Sequence, residues 1–142
     1  MGMEAGTYLF TYPPIGGADE ASLGVSLAAT GTGKGYLSVI DGCDLCELGV
    51  TLLVPSTSGQ LYCALFQALA VGGTYVPLYT VRAPSAAALP AGTTVKKFAT
   101  MRLTKGTVLR WDITTAAAGA SGVFYVKAYP TSTGNRQDLL SI

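Results

Sequence analysis

Residues 94–113 read TVKKFATMRLTKGTVLRWDI, two runs of alternating residues about Thr104-Lys105-Gly106. Alternation with period two puts successive side chains on opposite faces of a strand, so the stretch predicts an antiparallel hairpin. Two registers compete. A two-residue Lys105-Gly106 loop pairs Arg102 with Leu109 and Met101 with Arg110, mixing charge with apolar groups on both faces. A three-residue Thr104-Lys105-Gly106 loop pairs Leu103 with Thr107, Met101 with Leu109 and Ala99 with Trp111. Val95, Ala99, Met101, Leu103, Leu109, Trp111 and Ile113 then share one face, and Lys96, Arg102, Arg110 and Asp112 the other. One residue of slip exchanges the faces, so burial selects the second register. Gly106 also suits the left-handed last position of a three-residue loop. Phe98 is the misfit, since it falls on the charged face.

Outward from this stretch, short runs rich in Val, Tyr, Thr, Leu and Phe, bounded by Gly and Pro, read as further strands. They fall near Thr7–Tyr12, Gly24–Ala29, Gly35–Ile40, Leu48–Val54, Leu61–Leu69, Thr74–Val81 and Val123–Tyr129. Leu61–Ala70 also fits a short helix, because Ala, Leu and Gln tolerate one. On the last strand Phe124, Val126 and Ala128 alternate with Val123, Tyr125, Lys127 and Tyr129, a second face that is not strongly polar either. Sheets apolar on both faces are commonly covered on both. The expected fold is all-β: a single antiparallel β-sandwich or jelly-roll-like barrel with extended terminal arms. The expected division is an N-terminal arm with one short strand over 1–22, a β-sandwich over 23–129 and a C-terminal tail over 130–142. The tail ends in Leu139-Leu140-Ser141-Ile142, apolar residues expected to dock on this chain or a neighbour. Residues 83–92 are too interrupted by proline for a helix and read as a loop.

Composition narrows the function classes. Of the 142 residues, 12% are charged and 49% apolar, with no histidine and a formal charge of +1. Ordinary globular chains carry roughly twice that share of charge. Near-neutrality argues against direct nucleic-acid binding, which needs a broad basic footprint. The first residues lack the basic-then-apolar order of a signal peptide, and no apolar run is long enough for a membrane-spanning helix. The expectation is a soluble chain made in the cytoplasm with no membrane partner and free thiols.

No catalytic motif is complete. Without histidine the commonest general base near neutral pH is missing. Ala28-Ala29-Thr30-Gly31-Thr32-Gly33-Lys34-Gly35 approaches a P-loop but lacks its first glycine and the Ser or Thr after the lysine. It reads as a glycine-rich turn. Cys43-Asp44-Leu45-Cys46 is the only candidate metal motif. Three cysteines without histidine leave a zinc site short of ligands, so Cys43 and Cys46 read as two thiols in a turn. Ser121, in Gly119-Ala120-Ser121-Gly122, is not a nucleophile elbow. The sequence therefore predicts no enzyme, no cofactor and no metal. The eight tyrosines suit strands and interfaces alike.

In its Thr/Gly/Ala-rich strands, its few charges and its arms at Met1–Ser22 and Pro130–Ile142, the chain resembles bacteriophage virion proteins, above all small head decoration (cement) proteins. The resemblance implies a β-rich, often trimeric protein that clamps neighbouring capsid subunits. The expected function is thus a non-enzymatic structural role in the virion, after synthesis in the host cytoplasm. The expected partners are further copies of itself, in a homo-oligomer such as a trimer, and a capsid or other virion protein. Partner contacts are expected at Lys96, Arg102, Arg110, Leu139, Leu140 and Ile142. The alternative is a carbohydrate- or receptor-binding β-sandwich using exposed tyrosines and Trp111 as stacking platforms. An inward-facing Trp111 counts against it.

Overall fold

The computed structural model describes residues 8–13, 24–39, 41–83 and 87–130. These form nine strands: β1 Tyr8–Tyr12, β2 Val25–Ser26, β3 Gly31–Ser38, β4 Cys43–Val54, β5 Leu61–Ala68, β6 Val76–Ala83, β7 Thr94–Leu103, β8 Val108–Thr115 and β9 Ser121–Pro130. There is no helix among the described residues. Leu61–Ala68, which fitted strand or helix, is strand. Two antiparallel sheets result. Sheet I runs β1-β9-β4-β7, with β2 also on β9, and sheet II runs β3-β8-β5-β6. The expected all-β sandwich is the observed fold, and its strand order is that of a jelly roll.

The topology is one long hairpin rolled up. Paired residues mirror one another about the loop at 69–75: Val25 with Gly122, Gly35 with Trp111, Cys43 with Leu103, Leu61 with Ala83. Further pairings of β9 with β4 and of β8 with β5 turn the rolled ribbon into two sheets. Each sheet buries its inner face against the other. Trp111 of sheet II stacks on Phe124 of sheet I, ring centroids 5.1 Å apart and 12° from parallel. Both are fully buried. Such a pair adds about 0.5–1.5 kcal/mol beyond its buried area.

The expected hairpin at Gly106 is instead an arch. β7 belongs to sheet I, where it pairs with β4, and β8 belongs to sheet II. Leu103 therefore pairs with Cys43, not Thr107, and Trp111 with Gly35 and Leu65, not Ala99. The turn chemistry is as read: Gly106 has a φ of 92°, and the Thr107 amide donates to the Thr104 carbonyl at 3.1 Å. Its outer bonds go elsewhere. The Gly106 amide donates to the Val39 carbonyl and the Val39 amide to the Thr107 carbonyl, both at 2.8 Å, tying this arch to the one between β3 and β4. Val95, Leu103, Leu109, Trp111 and Ile113 still reach one core, because an arch brings two apolar faces together from opposite sides. Phe98 stands outward at 69% exposure, as its parity requires.

The arch also splits the charge expected on one face. Lys96 and Arg102 project from the outside of sheet I, Arg110 and Asp112 from the outside of sheet II. The second pair is half-buried to buried and bidentate, with Arg110 Nε to Asp112 Oδ1 and Nη2 to Oδ2 both at 2.9 Å. Asp112 Oδ1 also accepts the Gly33 amide at 2.9 Å. This explains the glycine-rich element. Between Gly31 and Gly35 the register of β3 on β8 slips in a bulge, and Gly33 at its centre has a φ of 71°. Gly35 makes room for the core, since a Cβ there would stand 3.0 Å from Phe124 and 3.2 Å from Tyr12. The element is thus a bulged strand, not a turn.

Asp112→Ala leaves the Arg110 guanidinium buried without its counter-ion, which costs about 3–5 kcal/mol. Urea unfolding should show that loss. Adding Arg110→Leu should restore most of it, because the stranded charge then goes too. No recovery in the double variant would contradict this account of the pair.

Candidate functional site

The outer face of sheet I carries the strongest candidate site, a groove of about 540 Å³ between β1, β9, β4 and β7. The ladders set its rows. Leu9 lies opposite Lys127, Lys127 opposite Glu47, and Glu47 opposite Phe98. The next row is Thr11, Tyr125, Gly49 and Lys96, and beyond it Val123, Thr51 and Thr94. A bulge between Leu45 and Glu47 on β4 brings Glu47 to the outside. Without the extra residue, the alternation that buries Leu45 would bury Glu47 as well.

Gly49 shapes the floor. A Cβ at that position would lie 2.3 Å from the Val95 carbonyl oxygen and 2.9 Å from Tyr125 Cε1. Its absence lets the Tyr125 ring lie low over the sheet, 7% exposed. The Tyr125 hydroxyl donates to Glu47 Oε2, and Lys127 Nζ stands 4.0 Å from Glu47 Oε1. Burial raises the Tyr125 pKa well above the ordinary tyrosine value, and the hydrogen bond to Glu47 and its charge add to that. Thr51 and Thr94 share a hydroxyl hydrogen bond at 3.0 Å. The rim is apolar and exposed: Leu9 at 52%, Leu53 at 38%, with Phe98 at 69% and Tyr129 at 52% on the same face. The groove thus offers shape, apolar edges and a carboxylate whose charge is already balanced.

Of the residues expected to contact partners, Lys96 lines this groove, with its ammonium 5.3 Å from the centre of the Phe98 ring. Arg102 lies on the same face, across Asp44 from Tyr129, and pairs with Asp44 at 2.7 Å, an exposed pair that contributes little. Arg110 is on the opposite outer face, held by Asp112 between the rings of Phe66 and Tyr75 at 4.7 and 4.3 Å. Leu139, Leu140 and Ile142 lie outside the described residues, as do 1–7, 14–22 and 131–142 of the expected arms, whereas Tyr8–Tyr12 of the N-terminal arm is β1 of sheet I. The face of β9 that read as weakly polar, Val123 to Tyr129, forms one side of the groove. Glu47 and Leu9 carried no signal, because a bulge and a partner strand are not written in a local pattern.

The thiols of the C-x-x-C motif lie in strand β4, not in a turn. Cys43 is buried in the core, while Cys46 is half-buried at the bulge, donating to the Lys127 carbonyl at 3.3 Å. Cys63 is in the core on sheet II, its pKa pushed up to about 12 by burial. Burial also raises Cys43 and Cys46, helped by Asp44 and Glu47 respectively, with Lys127 opposing at Cys46. Among the described residues no group of three or more His, Cys, Asp or Glu side chains could hold a metal ion.

No protein-family model matches the chain, and no curated protein matches its sequence. Among solved structures it is similar to the TNF Eiger of S. frugiperda, with a TM-score of 0.42 and 12% identity over 67% of this chain. The match spans 64% of that chain, under two thirds of its length. The jelly-roll assignment rests on the strand order alone.

Two measurements check the site. In the folded chain Tyr125 stays protonated past the ordinary tyrosine pKa of about 10, whereas the unfolded chain ionises there. Stability is therefore unaffected by this group below that pH and falls as pH rises above it. An ultraviolet tyrosinate titration should show one tyrosine ionising late, and Glu47→Ala should move it earlier without normalising it, because burial remains. A thiol reagent at neutral pH should modify Cys46 before Cys43 or Cys63, with all three reacting only on unfolding.

Proposed function

We propose that this chain is a non-enzymatic structural protein that works by packing the outer face of sheet I against other protein subunits. The first partner is a further copy of itself, and the second is the capsid or another protein of a virion that it decorates or cements. The observation that carries this reading is the exposure of four large apolar side chains, Leu9, Leu53, Phe98 and Tyr129, on one sheet face. Large exposed apolar patches mark interaction surfaces, and interface cores are poor in charge and rich in aromatics. Most charges on this face are already engaged: Glu47 balances Lys127 and Asp44 balances Arg102, while Lys96 stands over the Phe98 ring and is the ion a partner must meet with an acceptor. Low overall charge favours the same reading, since a chain with 12% charged residues has few ions with which to solvate its exterior.

The mechanism is avidity. Several weak contacts on one oligomer engage adjacent subunits of a shell, and linkage multiplies their effect. The carbohydrate-binding alternative has less behind it, because Trp111 is fully buried and the Tyr125 ring 7% exposed, which leaves Phe98 and Tyr129 as the exposed rings of this face.

Light scattering on the purified chain should give a multiple of the chain mass. Leu53→Lys, on the exposed rim, should lower that mass with an unchanged circular dichroism spectrum. An unmodified chain that stays monomeric at high concentration contradicts the proposal. Co-sedimentation with assembled capsids tests the second partner: the unmodified chain should travel with them and Leu53→Lys should stay behind.

A further inference from the structure

Of the ions that line the sheet I groove, Glu47, Lys96 and Lys127, Lys96 lacks a counter-charge. Among the described residues no carboxylate stands within ion-pair distance of it, and covering an ammonium that has no acceptor is costly. An occupant of the groove must therefore bring a carboxylate to Lys96. The rows of the sheet say what else it must bring. Rows two residues apart along a strand are about 6.6 Å apart. In the direction that returns from Pro130, the first row holds Lys127 and Glu47, the second Tyr125 and Lys96, the third Val123 and Thr94, and Leu53 comes last. An extended segment running that way matches these rows with alternate residues if it reads cation, carboxylate, apolar, apolar. Arg136, Asp138, Leu140 and Ile142 read in that order. They lie outside the described residues, in a segment that follows Pro130 directly.

We propose that residues 136–142 dock in the groove of their own chain, Asp138 on Lys96, as a tail that covers this face until a neighbour displaces it. The inference goes beyond the assembly proposed above and does not depend on it. Charge and spacing select the segment. The other acidic residues outside the described ones, Glu4, Asp19 and Glu20, have only Gly, Ala or Ser two positions to either side. The exposed loop at 69–75 has no carboxylate at all. In the proposed register Arg136 falls on Glu47, whose ion pair with Lys127 is long at 4.0 Å, and Lys127, 44% exposed, keeps its ammonium in water. Reach selects the same chain. Returning from Pro130 to the Lys127 row takes about 10 Å along the sheet and about 10 Å out to the next layer, or about 14 Å in all. The stretch from Pro130 to Arg136 spans up to about 20 Å, and Gly134-Asn135 supply turn residues. A segment on so short a tether meets the groove at a millimolar effective concentration, well above that of a segment from a second copy in dilute solution.

A water-soluble carbodiimide applied to the full chain tests this, because it joins a carboxylate to an amine with no spacer between them. Peptide mass spectrometry should find Asp138 coupled to Lys96. In a mixture of unlabelled and isotope-labelled chains, each coupled product should carry a single label. Leu140→Ser with Ile142→Ser leaves both reactive groups in place and should lose the product, with an unchanged circular dichroism spectrum. The exchange Lys96→Asp with Asp138→Lys should keep it. Products of mixed label would assign the tail to a neighbouring copy and overturn the proposal. Absence of the product, coupling of Asp138 mainly to Lys97, Lys105 or Lys127, or an undiminished yield in the double serine variant would overturn it too. A monomeric chain that couples Asp138 to Lys96 removes the assembly proposed above and supports the docked tail.

Discussion

Each strand of this chain has one face that must leave water, and a single ribbon of paired strands has nothing to cover that face with. Rolling the ribbon about residues 69–75 solves the problem. The inner faces of β4, β7 and β9 then meet those of β3, β5 and β8, with Trp111 on Phe124 at the centre. The glycines follow from that closure. Gly35 exists for Phe124 and Tyr12, and Gly49 for the Tyr125 ring. The arches follow too, since six of the connections carry the chain from one sheet to the other.

Scarce charge makes the placement of each ion consequential. Asp112 takes two hydrogen bonds from Arg110 and one from the bulge amide of Gly33, so one carboxylate holds the bulge, the guanidinium and, through Tyr75, the loop at 69–75. Glu47 does similar work on the other side of the sandwich, where a bulge turns it outward to Tyr125 and Lys127. Both outer faces thus pair these carboxylates locally and carry aromatic and aliphatic surface beside them. That division of labour, ions used for bracing and apolar groups left exposed, is the feature on which the proposed packing against neighbours rests.

The alternation in residues 94–113 correctly assigned Val95, Leu103, Leu109, Trp111 and Ile113 to the core and Phe98 to the outside. The turn at Gly106 was equally legible, since a left-handed residue is a local requirement. What the alternation could not carry was the partner of each strand. A hairpin and an arch bury the same side chains, and the choice depends on whether β4 or β8 lies beside β7. The groove was legible on β9 and at Lys96 of β7. Glu47 enters through a bulge, and Leu9 through a pairing across more than a hundred residues.

Composition and period-two patterning by themselves determined an all-β sandwich, its core residues and the scarcity of ionisable chemistry, because these depend on side-chain type and on the geometry of one strand. Only the tertiary structure decided that Lys96 and Arg110 stand on opposite faces, that the glycine-rich element is a bulge around a buried carboxylate, and that Leu9, Tyr125, Glu47 and Lys96 surround one groove. Those facts depend on which strands become neighbours. That choice is made by the free energy of closing two sheets over one core, a sum over the whole chain that no local window contains.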